Sequence, residues 1–69
     1  MSPEKMVMMA NQIATFFNSQ PGDPAQQVAA HLHDFWEPRM RAQLYAYVDA
    51  GGANLDPAVI RAAQLLQAA

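Results

Sequence analysis

The sequence predicts an all-α fold, a small bundle of four short helices. Four prolines, at positions 3, 24, 38 and 57, each follow a polar or acidic residue, and proline is favoured at the first position of a helix. Apolar residues recur at intervals of three and four, which places them on one side of a helix. No segment alternates between apolar and polar residues as a half-buried strand does.

The prolines and their neighbours mark where the helices begin. We expect helices at about residues 3–19, 24–35, 38–50 and 57–67. Three of the prolines follow good capping residues, namely Ser2, Asp23 and Asp56. Their side-chain oxygens can accept hydrogen bonds from the free backbone N–H groups of the first helical turn. Glu37, which precedes Pro38, is a poorer cap.

Glycine and proline also mark where helices end. Gly51 and Gly52 should end the third helix, because glycine takes the left-handed conformation that other residues avoid. The residue before Pro38 is pushed out of the helical region of backbone space. The second helix should therefore end near Phe35 or Trp36.

Each predicted helix carries an apolar stripe. In the first helix the stripe is Met6, Met9, Ala10, Ile13, Phe16 and Phe17. In the second it is Ala25, Val28, Leu32, Phe35 and Trp36. In the third it is Met40, Leu44, Tyr47 and Val48, and in the fourth it is Val59, Ala62, Ala63 and Leu66.

Two helices also carry apolar residues outside their stripes. Ile60 and Leu65 lie on either side of the fourth stripe, so that helix is apolar over more than half of its circumference. Such a helix is either central in the core of its own chain or covered by another chain, and both explanations are open. Met8 projects from the polar side of the first helix, and flexible methionine suits adaptable contact surfaces.

Length and composition limit what the chain can be. Its 69 residues suffice for one small domain, residues 1–69, whose core is marginal because a fold of this size buries only about 60% of its unfolded surface. The absence of cysteine removes disulfides, thiolate metal sites and cysteine catalysis. The formal net charge of −2 argues against nucleic-acid binding, since that affinity comes mostly from neutralising phosphates.

The N-terminal segment is partly apolar, but it does not resemble a membrane or targeting segment. Asn11 and Gln12 interrupt it, and a membrane-spanning helix needs about 20 apolar residues. The charged start and small-residue cleavage site of a secretory signal are also missing. We expect a soluble, cytoplasmic protein that does not bind membranes.

Residues 31–41, HLHDFWEPRMR, concentrate side chains that can bind metals or act in catalysis. On a helix, His31 and His33 point about 200° apart and cannot hold one ion together. His31 and Asp34 lie three residues apart and could supply two ligands, but zinc sites usually use three or four. We interpret both histidines as residues of the helix surface and predict no metal site.

No other pattern indicates catalysis or cofactor binding. The only serines, Ser2 and Ser19, suit helix boundaries, and no pair of acidic residues has the spacing of a general acid and base. Gly51-Gly52 lacks the remaining residues of a phosphate-binding loop. We predict no catalytic or cofactor-binding residue in this chain.

The arginines and the tryptophan of this stretch each allow two interpretations. Glu37 precedes Arg41 by four residues, so the two could form a surface ion pair worth about 0.2–0.5 kcal/mol. Arg39 and Arg41 could instead anchor a partner, because tryptophan, tyrosine and arginine are over-represented at binding hot spots. Trp36 is either the largest side chain of the core or an interface residue.

Three stretches of the chain resemble the delta subunit of the soluble, NAD-dependent molybdenum formate dehydrogenase. They are MANQIATFF at 9–17, FWEPRMRAQL at 35–44 and LDPAVIRAAQLL at 55–66. With DAGG at 49–52 they span nearly the whole chain in the right order. The FW-x-PRMR element is the most specific of them.

The resemblance implies a non-catalytic role. In that family, larger subunits oxidise formate to carbon dioxide and reduce NAD, using a molybdenum cofactor, iron–sulfur clusters and flavin. The delta chain is an accessory component, which we expect to dock on the molybdenum-containing catalytic subunit and stabilise the assembly. Two alternatives stay open, namely a transient chaperone for assembly or cofactor insertion and an unrelated self-associating helical module.

The expected partner interface centres on the corner between the second and third helices. Phe35 and Trp36 should fix this corner, and Pro38 should set its geometry. Arg39, Met40 and Arg41 would then contact the partner or brace the corner. The residues that we expect at the interface are Met8, Phe35, Trp36, Arg39, Met40, Arg41, Ile60 and Leu65.

Overall fold

The computed structural model describes residues 1–69 and contains four α-helices and no strand. The helices are α1 (Pro3–Asn18), α2 (Pro24–Phe35), α3 (Pro38–Asp49) and α4 (Pro57–Ala68). Each begins at one of the four prolines, and each ends within one residue of the predicted position. The all-α prediction is confirmed. No helix is long and apolar enough to cross a membrane.

Three of the four helix starts are capped by side chains, as predicted. Ser2, Asp23 and Asp56 accept hydrogen bonds from backbone N–H groups of the first turns of α1, α2 and α4, at 3.2, 3.0 and 2.8 Å. Glu37 makes no such bond. Each cap contributes about 1 kcal/mol to helix stability. Residues adjacent in the chain therefore stabilise the starts of α1, α2 and α4, whereas the start of α3 depends more on tertiary contacts.

The hydrophobic core is organised around α4, which packs against each of the other helices and most extensively against α2. Val59, Ala62 and Ala63 are completely buried. The other members of the core cluster are Met6, Ala10, Ala14, Val28, Ala29, Leu32, Trp36, Leu44 and Leu55. The central position of α4 within its own chain therefore accounts for its main apolar stripe.

Two stripe residues are mostly exposed rather than packed against the core. Phe16 is 59% exposed and Phe35 is 74% exposed. On α1 the fully buried residues repeat every four positions, at Met6, Ala10 and Ala14, so the centre of the stripe runs along the small alanines and Phe16 falls at its edge. On α2 the tryptophan that follows Phe35 occupies the interior instead. Helical spacing alone does not distinguish the centre of a stripe from its edge.

Two asparagines of α1 hold the segment between α3 and α4. The Asn11 amide nitrogen donates to the Asn54 carbonyl oxygen at 2.9 Å, and its amide oxygen accepts from the Asp56 backbone nitrogen at 2.8 Å. The Asn18 amide nitrogen donates to Oδ2 of Asp56 at 3.1 Å. The same aspartate caps α4 through Oδ1. These asparagines lie on the polar side of α1, where the sequence predicted no contact.

The α3–α4 turn requires glycine at the predicted place. Gly51 and Gly52 have φ angles of +125° and +63°, and the Gly52 N–H donates to the Tyr47 carbonyl oxygen at 2.9 Å. A β-carbon at position 52 would lie 3.3 Å from Cδ1 of Ile60. Backbone conformation and close packing therefore both favour glycine at this position.

We predict that Gly52→Ala lowers the free energy of unfolding by about 1–2 kcal/mol, because alanine is strained in the left-handed region. Urea unfolding followed by circular dichroism measures this change. Ile60→Val removes the nearest methyl group, so the cost of Gly52→Ala should be smaller in that background if crowding adds to the strain. Wild-type stability of Gly52→Ala would contradict the prediction.

Candidate functional site

The stretch HLHDFWEPRMR forms the corner between α2 and α3. Trp36 directly follows α2 in an extended conformation, and its side chain is only 6% exposed. It belongs to the same core cluster as Leu32 and Leu44. Of the two interpretations of this tryptophan, core packing describes the free chain.

Arg41 braces the corner from the first turns of α3. Its Nη1 donates to the backbone oxygens of Leu32 at 3.3 Å and His33 at 3.1 Å, and also to that of Trp36. The last carbonyl groups of a helix lack partners within the helix and carry partial negative charge, so a guanidinium is well suited to this place. Glu37 and Arg41 do not form the ion pair that their spacing allows.

The two arginines of the corner therefore differ in role. Arg39 is exposed and takes no part in the brace. Met40, between them in sequence, is half-buried and packs against the core. Of the two arginines, Arg39 is therefore the one whose side chain is exposed to solvent.

A row of aromatic rings runs from α1 onto α2 and reaches this corner. We call Phe16, Phe17, His31 and Phe35 the aromatic row. The centroids of neighbouring rings lie 5.1 Å apart for Phe16 and Phe17, 6.2 Å for Phe17 and His31, and 4.8 Å for His31 and Phe35. Two rings at the ends of the row, Phe16 and Phe35, are mostly exposed, and the two between them are half-buried.

Only one end of the aromatic row was expected at the site. Phe35 was predicted there, whereas His31 was interpreted as a plain surface histidine and Phe16 and Phe17 as members of the α1 stripe. His31 and Phe35 are four residues apart on one helix, and this spacing was the available signal for their contact. No pattern along the chain indicates that the phenylalanines of α1 join them.

The histidines do not come together. His31 lies between Phe17 and Phe35, while Nδ1 of His33 lies 3.2 Å from Oδ1 of Asp34, with both side chains largely exposed. No group of three or more histidine, aspartate or glutamate side chains is arranged to hold a metal ion.

The remaining residues of the expected interface lie on α1 and α4. Met8 is 52% exposed. Ile60 is half-buried against the core, and Leu65 is half-buried outside the core cluster. The structure thus places seven of the eight expected residues on the four helices, and Trp36 between α2 and α3.

Fold and site together define a small helical bundle with a braced corner and an exposed aromatic surface. The chain belongs to the NADH-dependent formate dehydrogenase delta subunit family, FdsD, whose model matches residues 5–63. This finding confirms the resemblance carried by the three sequence stretches. It makes the chain a delta subunit of formate dehydrogenase and implies other subunits of that enzyme as partners. No curated protein matches the chain.

We predict that Arg41→Met lowers the free energy of unfolding by about 1.5–3 kcal/mol, because backbone oxygens at the end of α2 lose a charged donor. Arg39→Met is the matched control and should change stability by less than about 0.5 kcal/mol. Urea unfolding of the two variants makes the comparison. Equal losses for both variants would show that the brace does not stabilise the fold.

We predict that Trp36→Ala costs about 3–5 kcal/mol, because it empties a large volume in the core. That is a large part of the total stability of a domain this small, so the free variant should have little helical circular dichroism at 25 °C. Phe35→Ala, at the neighbouring exposed position, should keep the wild-type spectrum. A folded Trp36→Ala variant that only fails to assemble would instead make the tryptophan mainly an interface residue.

Proposed function

We propose that this chain is a non-catalytic accessory subunit that docks on the molybdenum-containing catalytic subunit of formate dehydrogenase and stabilises the assembled enzyme. Family membership over residues 5–63 supports the choice of enzyme. The observation that carries the docking role is the 74% exposure of Phe35, a large apolar ring beside a rigid corner.

The use of the polar side chains supports the non-catalytic part of the proposal. Asp23 and Asp56 cap helices, Arg41 holds the end of α2, and Asn11 holds the α3–α4 segment. These groups are engaged with the backbone of their own chain. In this proposal the oxidation of formate and the reduction of NAD take place in other subunits.

The cofactors of the enzyme are likewise assigned to the partner subunits. A molybdenum cofactor, iron–sulfur clusters and flavin are the groups expected there. This chain has no cysteine to ligate a cluster and no cluster of metal-ligating side chains. Its residues therefore do not fit an iron–sulfur site, and we place none of the enzyme's cofactors in it.

The proposed contact centres on the α2–α3 corner. Phe35 and Arg39 are exposed there and would touch the partner directly. Trp36, Met40 and Arg41 would support them from the buried and half-buried side. Met8, Ile60 and Leu65 would add contacts where the partner extends beyond the corner. Burying a phenylalanine ring in a partner contributes roughly 2 kcal/mol.

A stabilising subunit remains in the purified enzyme, and this separates it from a chaperone. We expect a tagged copy, expressed in its native cell, to co-purify with active formate dehydrogenase at a fixed ratio to the catalytic subunit. Deleting the gene should lower the midpoint temperature of thermal inactivation of the enzyme, because a bound partner stabilises by mass action. The molybdenum content of each remaining catalytic subunit should not change.

Two results would contradict this proposal. Active enzyme that purifies without the chain, together with a loss of molybdenum on gene deletion, would favour a cofactor-insertion chaperone. Recovery of the tagged chain alone under gentle conditions, with sedimentation as a homo-oligomer, would favour a self-associating module.

A further inference from the structure

The aromatic row is an exposed surface built by two helices together. Phe16 and Phe17 come from α1 and His31 and Phe35 from α2. The ring planes of Phe16 and Phe17 meet at 78° and those of Phe17 and His31 at 64°, which is the edge-to-face arrangement that aromatic pairs favour. Phe16 is therefore held edge to face by the half-buried Phe17, while Phe35 lies against the half-buried His31 at a tilt of 35°. Such an ordered surface loses little side-chain entropy on binding.

No charged residue lies within four positions of Phe16 or Phe17, whereas Asp34, Glu37 and Arg39 lie within four positions of Phe35. Gln12 precedes Phe16 by four residues and Gln27 precedes His31 by four, so amides border the row on both helices. Asp34, the neighbour of Phe35, lies against His33. Interfaces are depleted of charged residues at their centres and carry polar groups at their rims. The matching partner surface is apolar and uncharged at its centre.

The exposed area of the row indicates the shape of that partner. A buried aromatic side chain contributes about 150–250 Å², so the exposed parts of Phe16 and Phe35 amount to about 250 Å² together. A stable dimer buries about 800 Å² on each side, close to a fifth of the 4250 Å² accessible surface of this chain. Two copies that met only through the aromatic row would bury much less area than this. A groove in a larger partner can also cover the surfaces of α1 and α2 on either side of the row.

We propose that the aromatic row packs into an apolar groove of a larger formate dehydrogenase subunit, through a contact that does not depend on ion pairs. This inference rests on the proposed accessory role and deepens it. It extends the contact from the α2–α3 corner to α1. Phe16, which the sequence assigned to the apolar stripe of its helix, becomes a principal docking residue.

The test uses the tagged full-length chain in a native cell whose own copy of the gene is deleted. Phe16→Ser and Phe35→Ser should each lower the recovered ratio of large subunit to tagged chain by about tenfold, the loss expected for hot-spot residues. Gln64→Ser, which shortens an exposed side chain on α4, should leave the ratio within twofold of wild type. Circular dichroism melts of the free variants check that the fold is retained.

Salt provides a second readout. Washing the captured complex at about 0.5 M salt should leave the wild-type ratio unchanged, because screening weakens exposed ion pairs and not apolar contacts. Loss of the large subunit at this salt concentration would instead favour a contact through Arg39 and overturn the uncharged groove.

The outcomes separate this inference from the proposed function. Wild-type recovery with both phenylalanine variants would overturn the aromatic row as the docking surface and leave the accessory role intact. Failure of the wild-type chain to recover any formate dehydrogenase subunit would overturn both. A wild-type dimer in sedimentation that Phe35→Ser converts to monomer would identify a second copy as the occupant and overturn the groove.

Discussion

The contact between the Arg41 guanidinium and the end of α2 fixes the corner at which the two halves of the chain meet. One nitrogen reaches the carbonyl oxygens of Leu32 and His33 at the end of α2, and also that of Trp36, which follows the helix. It thereby joins the second helix to the third across a corner that contains no regular structure. Trp36 fills the core beneath this corner, so the brace and the tryptophan together fix the direction in which α3 departs. Phe35, the last residue of α2, lies beside them and is exposed.

Several polar side chains bind the backbone of their own chain, and a few large apolar side chains lie exposed at the surface. Asn11 and Asn18 secure the segment that leads into α4, and three side-chain caps secure helix starts. Among the exposed side chains, the large apolar ones are Met1, Met8, Phe16 and Phe35, and the two phenylalanines are the most exposed of these. Exposed apolar side chains contribute little to the stability of the free chain and much more to that of a complex, because apolar area contributes only when water is removed from it. This distribution suits an accessory subunit with a marginal core of its own.

Part of the candidate site could be predicted from the sequence, and part could not. The corner followed from Pro38 and the aromatic residues before it, because proline restricts its neighbour wherever it occurs. Bracing of the corner by Arg41 was one of the alternatives that the sequence left open. The sequence could not decide between them, since the spacing from Glu37 also allowed an ion pair and the oxygens that Arg41 binds belong to the preceding helix. Of the aromatic row, the sequence placed only Phe35 at the site. The contact between Phe17 and His31, which joins the two pairs of rings, depends on how α1 packs against α2.

The sequence by itself determined the helices of this delta subunit, and its resemblance to the family over most of the chain. Prolines, caps and glycines act through neighbouring backbone atoms, so their effects are readable without a fold. Tertiary structure alone decided which stripe residues are buried, as the contrast between Ala10 and Phe16 shows. It also decided that Asn11 is a clamp and that four rings form one surface. These outcomes depend on how helices that are distant in sequence pack together. Helical periodicity determines on which face of its helix a residue lies, but not which residue of another helix it contacts.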